Sequence, residues 1–304
     1  MNIYFAAYTF TNTGTSGANV YHYNLAMVFL QWGWTVRAVC QQTKEPKFIT
    51  GVEVYPMAAH QDNLKWADVV FSFPGPHVVS HSAKSLIIIK HNNRKEPYDH
   101  ANHHILYCGQ NAMNETKKPC KSDFVFNPIN RYAGRPMNRI SGDGPWMLVN
   151  CNDNKGGGRL IELAKRCPTV QFVGVTSGYG GQIKGELHNL SYWPETLDMA
   201  QYYTKVAGVL SLSAREGFPT VIMEAMAFGL PIAGIESCKG FMDVAPEISG
   251  FRDINHIAVF LNSMLRVDYL TYKTASYDRH LEIEHSRNYD NLKKFVTCAS
   301  NGKV

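Results

Sequence analysis

Residues 213–234 read SAREGFPTVIMEAMAFGLPIAG and decide how the whole chain is read. Pro219 suits the first turn of a helix, because the N–H it lacks would be unpaired there anyway. Gly229 followed by Pro231 is a helix stop. Glu216 therefore sits in a loop just before a helix, and Glu224 sits inside that helix. A helix N-terminus attracts anions through its free N–H groups. The five residues from Pro219 to Glu224, at about 1.5 Å each, put the second carboxylate roughly 7–8 Å along the axis. Two carboxylates repel a phosphate but can hold uncharged hydroxyls on either side of it. That layout suits a nucleoside diphosphate sugar, with ribose on one side of the diphosphate and a hexose or pentose on the other. The plain alternative is two glutamates favoured by the helix macrodipole. It accounts for Glu216 better than for Glu224, which lies among Ala, Met, Ile and Phe, where an unpaired carboxylate is costly. On this reading a ligand hydroxyl supplies the missing partner.

Working outward, short apolar runs alternate with helical patterns, as a parallel α/β sheet requires. Strands are expected at 2–8, 35–40, 68–73, 85–90 and 104–107, and a helix at 18–32. The segment NPINRYAGRPMNRISGDGPW (127–146) is rich in Pro, Gly and Asn with little periodicity and reads as an interdomain linker. A second alternation follows, with strands at 146–150, 170–174, 206–212 and 231–235 and helices at 158–166 and 219–229. Helical patterns at 253–266 and about 276–298 close the chain.

The 304 residues are enough for two domains, and 45% apolar with 18% charged residues is the composition of a globular protein. No apolar run approaches the roughly 20 residues of a membrane-spanning helix. MNIYFAAYTF has no basic start and reads as a buried strand rather than a signal peptide. Seven scattered cysteines, without a CxxC pair or histidine ligand spacing, read as free thiols in a reducing cytoplasm and argue against zinc. Charge is uneven. Residues 1–140 hold 14 Lys and Arg against 8 Asp and Glu, and the remainder hold 16 against 17. Lys117, Lys118 and Lys121, in KKPCK, form the densest basic stretch of the first half. A phosphate-bearing or otherwise anionic partner suits that half, and ordinary surface lysine is the competing reading.

The 213–234 stretch resembles the Glu-x7-Glu signature of retaining glycosyltransferases with the GT-B fold, and family 4 most closely. TSGANVYHYNLAMVFLQWGWTVRAV (15–39) is similar to that family's first loop, helix and second strand. LVNCNDNKGGGRLIELAKRCPTVQFVGV (148–175) is similar to the start of its donor domain, and ADVVFSFPG (67–75) and SLIIIKHNN (85–93) to its middle strands. The resemblance implies two Rossmann-like domains with parallel sheets facing a central cleft. An N-terminal acceptor domain would span 1–135, rejoined by a crossing C-terminal helix at 276–304, and a donor domain 141–275. It also implies sugar transfer from a UDP- or GDP-sugar, UDP favoured, to an acceptor hydroxyl with retention, without a metal and with no further cofactor.

Individual residues follow. Lys155, before the glycines of NKGGGRL, is a natural diphosphate clamp together with Gly156 and the N–H groups at a helix start. The family pairs this lysine with an arginine about five residues earlier. Here that place is Asn150, which donates hydrogen bonds but adds no charge, and Arg159 or Arg215 are the substitutes. Thr220 and Val221 would offer N–H groups to the phosphates. Glu216 would position the donor sugar and Glu224 the ribose. TNTGTSGAN (11–19) lacks a G-x-G-x-x-G fingerprint, which disfavours an NAD enzyme; Ser16 and Gly17 occupy the place of the family's glycine-rich loop. His91 ends an apolar run at the C-terminal end of a strand, where polar residues face the ligand crevice. The resemblance makes it catalytic beside Glu216, with His22, His77 and His81 competing. Gly178, Gly180 and Gly181 line the donor pocket or form a surface turn, while Tyr202, Tyr203 and Trp193 read as packing.

The acceptor expected from this reading is a glycan, a lipid-linked glycan or a modified DNA base, with a peripheral anionic surface as a further partner. A nucleotide-sugar epimerase or hydrolase on the same fold, or a non-catalytic GT-B binding domain, are the alternatives.

Overall fold

The two strand–helix alternations fold as two units, Met1–Pro128 with Arg287–Val304, and Ile129–Ser286. The structure is a computed structural model that describes residues 1–7, 10–11, 17–72, 85–90, 104–108, 113, 122–124, 142–176, 180–286 and 289–301. Most of the expected linker at 127–146 lies outside these residues. So do Ser16, His77, His81, His91, Gly178 and the 117–121 lysine cluster.

The first unit is built on an eight-stranded sheet. Its described elements begin with β1 (Asn2–Ala6), α1 (Gly17–Gln31) and β2 (Thr35–Cys40). They continue through β3 (Lys47–Ile49), β4 (Val52–Pro56), α2 (His60–Trp66), β5 (Val69–Ser72), β6 (Leu86–Lys90), β7 (His104–Tyr107) and β8 (Ser122–Phe124). The spatial order is β3-β4-β2-β1-β5-β6-β7-β8, parallel except for the β3–β4 pair. The buried β1 and β5 pack Phe5 and Phe71 against Phe29 of α1. His22, a competitor for the site histidine, is buried in this core against Phe5. Gly17 opens α1.

The second unit carries a six-stranded sheet, all parallel. It runs β9 (Trp146–Val149), α3 (Gly157–Arg166), β10 (Phe172–Val175), β11 (Leu190–Trp193), α4 (Ala200–Tyr203) and β12 (Gly208–Ser211). Then come α5 (Thr220–Ala227), β13 (Ile232–Ile235), α6 (Lys239–Met242), β14 (Gly250–Phe251), α7 (Ile254–Ser263) and α8 (Arg266–Ser286). Helix α3 buries Leu160, Leu163 and Ala164, a helical spacing, against a core that includes Leu148, Phe172 and Leu210. Its C-terminal carbonyls at Ala164 and Cys167 accept from Asn189 Nδ2 at 3.0 and 2.8 Å, which satisfies groups a helix end otherwise leaves orphaned. A last helix, α9 (Tyr289–Ser300), belongs to the first unit.

Two parallel-sheet α/β domains were expected and are found. The differences are local. Strand β4 is only half buried and polar on alternate residues, so its period-2 signal is short. The sequence pattern leaves a gap between helices at 267–275, but this stretch lies in the first half of α8. Its Thr and Val residues weaken intrinsic helix propensity, and packing of α8 against α5 and β13 overrides that.

Candidate active site

In the second sheet the strand order is β11-β10-β9-β12-β13-β14. The chain winds outward from β9 to β11, then crosses back to the other side of β9 and winds outward again. The point of reversal lies between β9 and β12, and open α/β sheets bind ligands at the C-terminal ends of the strands there. The segment after β9 carries Asn150 and Lys155. The segment after β12 carries Ser213 and Glu216.

The two segments meet. Lys155 Nζ stands 2.5 Å from Glu216 Oε1, with side chains 27% and 11% exposed. Ser213 Oγ donates to the same carboxylate oxygen at 2.6 Å. The sequence had assigned Lys155 and Glu216 to adjoining parts of one ligand, and the fold brings them together.

The lysine is delivered by a tight turn. Asn152 Oδ1 accepts from the Lys155 N–H at 2.9 Å and caps a single 3₁₀ turn at Asp153–Lys155. The chain then passes Gly156 at φ +90°, where a Cβ would stand 2.5 Å from the Leu212 carbonyl oxygen. A Cβ on Gly157 would overlap the Cys151 carbonyl oxygen. The glycines thus let the start of α3 lie against the β9 and β12 segments. Arg159, one of the expected replacements for a second cation, donates Nη1 to Leu212 O at 2.7 Å. Arg215, the other, is exposed.

Glu216 is held from behind. The N-terminal turn of α6 lies so close that a Cβ on Gly240 would overlap the Glu216 carbonyl oxygen and stand 2.7 Å from its carbon. Arg279 of α8 in turn donates to the Asp243 and Val244 carbonyls at the C-terminal end of α6, at 3.0 and 3.4 Å. The buried thiol of Cys238 sits beside Glu216, and burial first, then the Glu216 charge, pushes it up.

Helix α5 begins one residue after Pro219, which caps it, rather than at Pro219 itself. The Thr220 N–H turns back to Phe218 O at 3.1 Å. The bend into the helix thus engages one of the two N–H groups that the sequence reading names for the phosphates, Thr220 and Val221. The helix stops as expected at Gly229, φ +64°.

Glu224 is 8% exposed, but it does not wait for a ligand to find a partner. Tyr203 of α4, fully buried, donates Oη to Glu224 Oε2 at 2.7 Å. Replacing Glu224 with alanine therefore removes the Tyr203 hydroxyl's short, charge-assisted acceptor and leaves it the longer contact to the Val221 carbonyl at 3.4 Å, a loss of about 1 kcal/mol or more. Glu224→Gln, which keeps an acceptor, is expected to cost less. Urea unfolding of the two variants checks this, and equal stability of Glu224→Ala and wild type would contradict the contact.

Asn150 directly follows β9 at φ +66°, a conformation asparagine tolerates better than most residues. It is 4% exposed. Gly180 lies against Asn152, and Asn152 bridges to Gln182, so this segment flanks the β9 turn. Trp193 and Tyr202 pack against each other as a tilted pair with centroids 4.8 Å apart. Sequence reasoning misses Ser213, Gln182 and Gly240, and reads Tyr203 as packing alone. Ser213 alone had a local signal, three residues before Glu216. Among the described residues no group of three His, Cys, Asp or Glu is placed to hold a metal ion.

No family model matches the chain, and no curated protein matches it in sequence. Solved structures match by fold. Sucrose-phosphate synthase from Thermosynechococcus elongatus has a TM-score of 0.72 at 13% identity, covering 95% of this chain and 96% of that one. The trehalose-6-phosphate synthase OtsA has a TM-score of 0.70 at 8% identity, covering 97% and 99%. HepE from Anabaena, solved in complex with UDP and glucose, has a TM-score of 0.63 at 15% identity, covering 98% of each chain. The chain has the GT-B fold of these proteins over nearly its full length.

Proposed function

We propose that the protein is a glycosyltransferase that moves a sugar from a nucleoside diphosphate sugar to an acceptor hydroxyl. A UDP-sugar is the first candidate donor and a GDP-sugar the second. The observation that carries this reading is the Lys155–Glu216 pair at the switch point of the second sheet, supported by the GT-B likeness and by the complex of HepE with UDP and glucose.

An ammonium has three N–H donors, so Lys155 can keep Glu216 and still bind a phosphate oxygen. The carboxylate then stands next to the diphosphate, where the donor sugar's hydroxyls would be. The N-terminus of α5, through Val221, and that of α3 beyond Gly156 would meet further phosphate charge. Glu224 would take the ribose. By the family resemblance, Ser16, Gly17 and His91 would also contact the donor, His91 orienting the transferred sugar.

The resemblance to family 4 supports transfer with retention by a front-face path. The acceptor oxygen bonds to the anomeric carbon on the face that the diphosphate leaves. The bond from that carbon to the phosphate oxygen breaks with its electron pair, and the acceptor proton passes to the leaving phosphate. Lys155 and the helix N–H groups stabilise the charge that develops, a preorganised electrostatic role.

The basic first half favours an anionic acceptor, such as a phosphate-bearing glycan, a lipid-linked glycan or DNA, or an anionic surface that carries it. We place the protein in the cytoplasm. No helix among the described residues is long and apolar enough to cross a membrane.

The test is thermal shift against a panel of UDP- and GDP-sugars, then product analysis with acceptors. Transfer with the anomeric configuration kept is the expected result. Conversion of donor without acceptor would favour an epimerase or hydrolase, and no response to any nucleotide sugar would sink the reading. Turnover is expected to be unchanged in EDTA, because Lys155 and helix dipoles take the diphosphate charge. Loss in chelator, restored by manganese or magnesium, would contradict that part.

A further inference from the structure

The geometry points to Gln182 as a positioning residue that locks the Asn150 amide with its NH₂ group aimed at a phosphate oxygen of the donor, an inference that rests on the nucleotide-sugar reading. The orientation of both amides is fixed by the backbone. Gln182 Oε1 accepts from the Cys151 N–H at 2.9 Å, so Gln182 presents its nitrogen to Asn150. Asn150 Oδ1 accepts from Gln182 Nε2 at 2.9 Å and from the Asn152 N–H at 3.3 Å. A backbone N–H can only donate, so neither amide can be turned over without facing donor to donor.

This leaves Asn150 Nδ2 buried with no acceptor among the described residues. A buried donor without a partner is costly, and this one sits at the end of β9, at the switch point, on a residue held at positive φ. The chemistry that completes it is an acceptor oxygen with no proton to offer. A phosphate oxygen has that character, whereas a sugar hydroxyl can face either way. The device is neutral. Where a cation would bind a diphosphate by charge, this chain uses a one-way hydrogen-bond donor whose direction is set 32 residues away in sequence.

The experiment uses the full chain with UDP and GDP as probes, by titration calorimetry and by ¹⁵N–¹H spectra of side-chain amides. The Asn150 NH₂ signals, assigned by their loss in Asn150→Asp, are expected to shift when nucleotide is added to wild type. Asn150→Asp keeps the acceptor for Gln182 and Asn152 but turns an oxygen toward the phosphate, and nucleotide affinity is expected to fall by about tenfold or more. Gln182→Glu still accepts from Cys151 but cannot donate to Asn150. It is expected to turn the Asn150 amide over and lower affinity by a similar factor, while Gln182→Met lowers it less. Wild-type affinity in folded Asn150→Asp and Gln182→Glu, or NH₂ signals that ignore bound nucleotide, would overturn the inference and leave the donor reading standing. If neither nucleotide binds wild type, the donor reading itself falls and takes the inference with it.

Discussion

Lys155→Ala is expected to lower transfer by about two to three orders of magnitude at saturating donor, the usual consequence of removing one preorganised stabiliser of leaving-group charge. The Lys155 ammonium stands 2.5 Å from Glu216 and is the cation that the turn after β9 brings to the switch point. Asn150 contributes no charge there, and the Arg159 guanidinium is tied to the Leu212 carbonyl through Nη1. The variant also leaves Glu216 with Ser213 on Oε1 in place of the ion pair, so donor affinity is expected to weaken together with turnover. Steady-state kinetics with the donor identified by the panel checks this. A variant with turnover within a factor of about three of wild type would remove the lysine from any role in the leaving step.

The second large effect is expected from a residue that touches no ligand. Gly240→Ala places a methyl group into the Glu216 backbone, with Glu216 C at 2.7 Å and the Gly217 carbonyl oxygen at 3.1 Å. Backbone cannot rotate out of the way as a side chain can, so either α6 or the 213–219 loop must move. Arg279 holds the far end of α6 through two carbonyls, which makes the loop the part that yields. Overpacking of this kind costs about 1–3 kcal/mol of stability. A displacement of about 1 Å at a catalytic group can cost about a hundredfold in rate. A kcat loss of that order, larger than any loss of nucleotide affinity, is the expected split, since Lys155 is carried by the separate turn after β9. Unchanged kcat in a folded Gly240→Ala protein would show that the Glu216 position does not depend on α6.

The parts of the site that were legible in sequence are those whose signal is local. Glu216, Glu224, the helix between Pro219 and Gly229 and the lysine before three glycines each declare themselves within a few residues. The hidden parts are partners brought in by topology. Tyr203 reaches Glu224 across 21 residues and Gln182 reaches Asn150 across 32, and no periodicity or cap marks either. Glu224 shows the consequence: sequence reasoning saw a buried carboxylate without a partner and assigned that place to a ligand, while the fold supplies a phenol for one of its oxygens. The same holds for the fold. Buried central strands such as β1, β9 and β12 announce themselves as apolar runs, but β4 and the short β14 owe their strand state to a neighbour that is already paired.

The C-terminal ends of β9 and β12 are expected to bind the diphosphate of a sugar nucleotide. A crystal structure of the protein with UDP tests it most directly. The predicted result is a diphosphate at the N-terminus of α5, with one phosphate oxygen within hydrogen-bond distance of Lys155 Nζ and the Glu216 carboxylate still beside the same lysine. UDP bound elsewhere on the chain, with the Lys155–Glu216 pair untouched, would contradict it.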